Sequence, residues 1–130
     1  KVKLEDEKGN GQVILHLLNK KLISNAHDVS DGGIGLNLCE LAIANDLGFE
    51  VIEGSLEYFF NETQARYIIS INPLKEKLFI SLAKDKKVPI TKLGIAKGRS
   101  LCFGSNILPL AHVNDLYHDV ISNMMEKKIN

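Results

Sequence analysis

The sequence predicts an α/β (α+β) fold, a layered mixed β-sheet flanked by helices, and three observations lead there. Some stretches repeat apolar residues at helical spacing while others alternate them at strand spacing. The two kinds interleave along the chain as α, β, α, β, β, α, β, β, α, which is the order of helices packed on a mixed sheet. No internal repeat or low-complexity segment interrupts the pattern, and 130 residues, 45% of them apolar, suffice for one core. Residues 1–130 are therefore expected to form a single domain.

The elements follow in order. Lys1–Asn10 is charged and linker-like. Gly11–Leu22 sets Val13, Ile14, Leu17, Leu18 and Leu22 on one helical face, with His16 off the stripe. Ile23–Val29 reads as a strand that runs into an Asp-Gly-Gly turn. Gly33–Asn45 is a helix with Ile34, Leu38, Leu41 and Ala42 as one stripe, widened by Leu36, Cys39 and Ile43. Asn37, Glu40 and Asn45 are its strongly polar residues. A helix apolar nearly all round is buried on more than one side, so contact with both a local sheet and another domain or chain is expected. Gly48 is the expected C-terminal stop, and Phe49–Glu53 alternates as a strand.

Gly54–Gln64 connects, with a helical turn at Leu56–Phe60. Arg66–Asn72 is the clearest strand, with Tyr67, Ile69 and Ile71 on one face. Glu62 and Arg66 either pair or leave Arg66 to reach an anionic ligand. Pro73 ends the strand, since it brings no N–H to a ladder. Leu74–Lys84 then forms a helix with Leu74, Leu78, Phe79 and Leu82 inward, and Lys84-Asp85-Lys86-Lys87 is its solvated end. Ile90–Lys97 and Arg99–Phe103 read as a hairpin turning at Gly98, and Lys97-Gly98-Arg99-Ser100 as an ordinary polar turn. Asn106–Leu110 adds a short strand. Ala111–Glu126 is a helix with Val113, Leu116, Tyr117, Val120, Ile121 and Met124 on the buried side, and His112 and His118 outside it.

Composition excludes several classes. Sixteen basic residues balance sixteen acidic ones, so no global basic field invites nucleic acid. No apolar run approaches the roughly 18 residues of a membrane span, and no signal peptide is visible. The expectation is a cytoplasmic protein, with Cys39 and Cys102 as buried free thiols. There is no CxxC, and no two histidines stand at metal spacing. Starting on Lys1 rather than Met, the chain reads as a piece of a longer polypeptide.

The chemistry concentrates in His27–Gly35. On a strand, His27 and Asp28 face opposite ways. Ser30 or Asp31 suits the N-cap of the helix that follows. Gly32, Gly33 and Gly35 permit positive φ and close backbone approach. Free N–H groups at a helix start favour phosphate, whereas Asp28 and Asp31 repel it, so a phosphate ligand here requires Mg²⁺ between them. The same turn also suits a purely structural cap. The sequence has neither GxGxxG nor GxxxxGK[ST].

Ala26-His27-Asp28-Val29-Ser30-Asp31-Gly32-Gly33, followed by Glu40-Leu41-Ala42 on an apolar helix, resembles the C-terminal domain of the aminoimidazole ribonucleotide synthetase superfamily. Within it the chain most resembles the last domain of the phosphoribosylformylglycinamidine synthases. Phe60-Asn61-Glu62-Thr63-Gln64-Ala65-Arg66-Tyr67-Ile68 resembles that family's F-[GS]-E-x-x-x-R-[YF] segment. The resemblance implies the same α/β architecture, appended to a separate N-terminal domain. It implies an ATP-dependent bacterial ligase of purine biosynthesis that converts formylglycinamide ribonucleotide to the amidine with ammonia from glutamine. ATP and Mg²⁺ are the implied cofactors. The implied partners are the upstream domains, a glutaminase subunit and a small accessory subunit. Ending soon after Met125, the chain resembles the end of the small form of the synthetase.

That family's essential histidines and ATP-binding lysine lie upstream, so no catalytic residue is expected here and the isolated domain is expected to be inactive. What the resemblance carries over is an auxiliary nucleotide site at Asp28, Ser30, Asp31, Gly32, Gly33 and Arg66. Asp28 would be the metal ligand, by pseudo-symmetry with the first half of the enzyme. Two alternatives stand beside it: a non-catalytic packing and docking module, and a domain of another superfamily member such as a small-molecule kinase.

Overall fold

The computed structural model describes residues 4–52, 54, 56–62 and 66–126; within them, the side chains of 4–7, 56, 121, 122 and 124–126 lie outside the description. The chain divides into two compact units, Lys1–Asn37 with Glu57–Thr91 and Leu38–Leu56 with Lys92–Asn130.

In the first unit, α1 (Leu4–Asn19) precedes β1 (Ile23–Asp28), which pairs antiparallel with β3 (Tyr67–Ile71). The helix takes in most of the stretch expected to be a linker, running through Gly9, Asn10 and Gly11 without a break. A bulge between Ile23 and Asn25 adds one residue to β1, so Ile23 and Ala26 fall on the same face, opposite Ile71 and Ile69. That face packs with Leu17, Leu22 and Phe79, flanked by Val13, Ile14 and Leu82, into a core. Leu18, expected inside, is exposed.

A 3-10 turn, Pro73–Lys75, opens α4 (Glu76–Asp85), and the Asn72 side chain accepts the Leu74 N–H. The turn delays the helix by two residues and leaves Leu74 outside it. Phe79 and Ala83 are buried, with Leu82 packed against the core, whereas Leu74 is 93% and Leu78 53% exposed. The inward positions expected at Leu74 and Leu78 are thereby corrected.

The second unit carries the four-stranded sheet β4 (Gly94–Ala96), β2 (Phe49–Val51), β5 (Ser100–Phe103), β6 (Asn106–Pro109), in that spatial order. The expected hairpin at Gly98 does not form. β2 lies between its two arms, antiparallel to β4 and parallel to β5. Gly48 drives the wedge: its N–H donates to Gly98 and its carbonyl accepts from Lys97. A Cβ there would run into the Ser100 backbone, so the glycine serves close approach rather than helix termination. The hairpin of this sheet is β5–β6, turning at Gly104 and Ser105. α5 (Leu110–Glu126) follows; His112 and His118 are exposed, as expected. So are Leu116 and Val120, contrary to expectation, while the side chains of Ile121 and Met124 lie outside the described residues.

Lys97 pairs with Glu50, and Arg99 forks onto Asp46 at 2.6 and 2.5 Å, so the polar turn spends its cations within the unit. Glu50's hydrogen bond and charge hold the Lys97 ammonium above its ordinary value. Cys39 and Cys102 are free and only half-buried, where buried thiols were expected; burial pushes the Cys39 thiol up, and Glu40 adds to it.

Three helices end alike. Lys21, Asp46 and Lys87 take positive φ of 54, 49 and 55°, and the N–H of the following residue reaches back to Leu17, Ala42 and Ala83. This is the Schellman arrangement with a non-glycine residue in its left-handed position. Lys87→Gly is therefore expected to stabilise the protein by about 0.5–1 kcal/mol, because the strain on the lysine Cβ exceeds the entropy the glycine adds. Urea unfolding checks it, and a lower midpoint would refute the strain.

Candidate functional site

The turn between β1 and the next helix lies in the first unit. That helix, α2 (Gly33–Asn45), has the bounds the sequence predicts, and the division between units falls within it. The short α3 (Leu56–Phe60) likewise falls where expected.

β1 delivers His27 and Asp28 on alternate faces: His27 is half-buried, and Asp28 is exposed. Val29 N–H donates to the Arg66 carbonyl at 2.9 Å, tying the end of β1 to the start of β3. Gly32 and Gly33 take φ of 79 and 65°, which reverses the chain into α2. A Cβ on Gly33 would lie 2.6 Å from the Phe59 carbonyl oxygen and 2.8 Å from that of Asn61. The turn is thus pressed against the end of α3.

The expected side-chain cap at Ser30 or Asp31 is corrected. Both residues are exposed, and the Gly33 N–H goes to the Ser30 carbonyl at 3.1 Å. The cap arrives from elsewhere: Glu62 Oε1 accepts the Gly32 N–H at 2.9 Å. Glu62 brings a carboxylate to the positive end of α2, where a phosphate would sit. Arg66, half-buried, donates through Nη2 to the Asn61 carbonyl, so it braces the same loop.

Beneath the turn lies Asn37, fully buried. Its Nδ2 donates to the Gly33 carbonyl at 2.6 Å and approaches that of Asp31 at 3.4 Å. Its Oδ1 lies 2.7 Å from His27 Nε2. Two carbonyls on the amide nitrogen leave its oxygen as acceptor, so His27 Nε2 carries a proton and donates. One side chain joins β1, the turn and α2. Asn37 was read from the sequence only as a polar helix position. Its place on the Ile34–Leu41 stripe, three and four residues from each, was the available signal.

Among the described residues no three His, Cys, Asp or Glu side chains gather to hold a metal. The Gly32 N–H already serves Glu62.

The chain belongs to the family described as AIR synthase related protein, C-terminal domain, which matches residues 1–101. Its relatives include the phosphoribosylformylglycinamidine synthase subunit PurL of Leuconostoc mesenteroides, 39% identical over 92 residues, which are 70% of this chain and 12% of that protein. The same subunit of Methanobrevibacter smithii is 31% identical over 137 aligned positions, covering 96% of this chain and 19% of that one. The chain thus spans less than a fifth of the length of these two relatives. Among solved structures, phosphoribosylformylglycinamidine synthase II of Thermotoga maritima superposes with a TM-score of 0.71 at 17% identity, over 83% of this chain and 21% of that one. A Thermotoga maritima PurL complexed with ATP gives 0.69 at 16% identity, over 82% of this chain and 21% of that one. Likeness at such identity is likeness of fold.

Among the described residues no helix is long and apolar enough to cross a membrane.

Proposed function

We propose that the chain is the C-terminal domain of a longer ATP-dependent carbon–nitrogen ligase of the phosphoribosylformylglycinamidine synthase kind, and that it contributes architecture rather than reacting groups. Similarity to PurL subunits along 96% of the chain supports the parent activity. The partners follow from the same reading: upstream domains of the polypeptide, with a glutaminase and a small subunit, in keeping with the PurLQS assembly of Thermotoga maritima. ATP and Mg²⁺ belong to the parent reaction, and the groups that act on them belong to the upstream domains.

The observation that carries the architectural role is the Glu62 carboxylate on the Gly32 N–H. A turn that binds phosphate keeps such donors for the ligand. Here the position is filled from within, and the exposed Asp28 and Asp31 add negative charge beside it.

Asp28→Asn with Asp31→Asn in the full-length enzyme tests this. The amidation rate is expected to stay within about threefold of the unaltered enzyme, with the melting temperature unchanged, as exposed substitutions cost within about 0.5 kcal/mol. A fall of about a hundredfold at unchanged melting temperature would place the turn in ligand or metal binding and sink the architectural reading.

A further inference from the structure

A cavity of about 660 Å³ opens between α1 and the C-terminal end of α4, within the first unit. Small-molecule sites occupy about 300–1,000 Å³. None of the lining residues belongs to the His27–Gly35 turn. The floor is apolar: Leu17 is buried, and Val13, Leu82 and Val88 are half-buried. The rim is polar: Gln12, His16, Lys86 and Lys87 are exposed. No Asp or Glu is among the described residues that line it. Among the described residues no carboxylate pairs with Lys86 or Lys87, whereas in the second unit Lys97 and Arg99 are spent on Glu50 and Asp46. The N–H groups of Lys86, Lys87 and Val88 donate to the carbonyls of Leu82, Lys84 and Ala83 at 3.0, 3.0 and 2.9 Å. Three of the last carbonyls of α4 are thereby satisfied, which blunts the negative end of the helix dipole beside the cavity. Gly9 keeps the α1 side open. It stands inside the helix, where glycine weakens the element, and a Cβ on it would meet nothing within 4 Å.

We propose that this cavity binds a small organic anion, with one phosphate or carboxylate head on an apolar body. Each part of the ligand answers to a part of the lining. The ammonium groups of Lys86 and Lys87 select negative charge at the rim, and the His16 ring and the Gln12 amide offer N–H donors to the oxygens of the head. The floor of Val13, Leu17, Leu82 and Val88 selects the body. Inorganic phosphate alone would leave that floor uncovered, and a neutral hydrocarbon would leave both cations without a partner. The sequence reads Lys84-Asp85-Lys86-Lys87 as the solvated end of a helix; the cavity gives two of its lysines a shared target. The site owes nothing to the parent reaction, so it extends the functional reading without depending on it.

The test follows the fluorescence anisotropy of naphthyl phosphate, naphthoate and the neutral naphthalenemethanol with the full-length enzyme. A saturable component with a Kd at or below about 1 mM is expected for at least one of the two anions. Whichever anion binds more tightly names the head group. Gly9→Leu sets a side chain into the cavity on a better helix former. That component is expected to weaken by at least about tenfold, at a melting temperature that does not fall. Lys86→Gln with Lys87→Gln, both exposed positions, is expected to weaken it by at least about fivefold and to leave binding of the alcohol as it was. The proposal is overturned if neither anion shows a component that responds to these substitutions, or if the alcohol binds as tightly as the anions. Should Gly9→Leu disturb the fold, the lysine pair decides alone. Amidation activity enters none of these readings, so a failure of the functional reading would leave the site standing.

Discussion

Gly33→Ala is expected to cost about 3–5 kcal/mol, the largest loss of any single methyl added to the turn. Two terms combine. At φ of 65° an alanine Cβ is crowded by its own backbone, at about 1–2 kcal/mol. The new carbon would also lie 2.6 Å from the Phe59 carbonyl oxygen and 2.8 Å from that of Asn61. Those are backbone atoms, which cannot swing aside as a side chain would, so the turn and the end of α3 must part. Gly98 isolates the first term. Its φ is also 65°, but a Cβ there meets nothing within 4 Å. Gly98→Ala is therefore expected to lose only about 1 kcal/mol. Urea unfolding of the two variants decides the matter. Equal losses would mean that α3 does not press on the turn.

Local patterns were legible and distant ones were not. The bounds of α2 follow from the Asp-Gly-Gly turn before it and the apolar density within it, both properties of adjacent residues. Tyr67–Ile71 reads as a strand for the same reason. The hairpin at Gly98 failed because the strand between its arms comes from β2, more than forty residues earlier, and no pattern near Gly98 announces it. On α4, Phe79 and Leu82 pack inward as expected, whereas Leu74 falls in a 3-10 turn capped by Asn72 before the helix begins. At the site, the glycines take the positive φ expected of Gly32 and Gly33, but the carboxylate that caps the turn is not one of those beside it. The acids near the turn, Asp28 and Asp31, point to solvent, while the acid that caps it, Glu62, sits thirty residues beyond Gly32. A carboxylate that caps across such a distance cannot be told from a solvated one by spacing.

Asn37 is the second position where a large effect is expected, and it tests whether the turn is held from below. Asn37→Ala removes a fully buried amide whose nitrogen donates to the Gly33 carbonyl and whose oxygen accepts the hydrogen bond from His27 Nε2. The cavity and the stranded carbonyl together imply a loss of about 2–4 kcal/mol. Asn37→Leu restores most of the volume but none of the hydrogen bonds, so it separates packing from polarity. It is expected to recover less than half of the loss, because burying a polar group without a partner costs as much as the void. The link to His27 is read by a double-mutant cycle with His27→Ala, in which a coupling of about 1–2 kcal/mol is expected. Losses that simply add would show that the 2.7 Å contact contributes nothing to stability. A positive coupling would make His27 and Asn37 one structural unit. The most chemistry-laden segment of the chain would then owe its residue types to holding strand, turn and helix together, which is the role the Glu62 cap assigns to it from the other side.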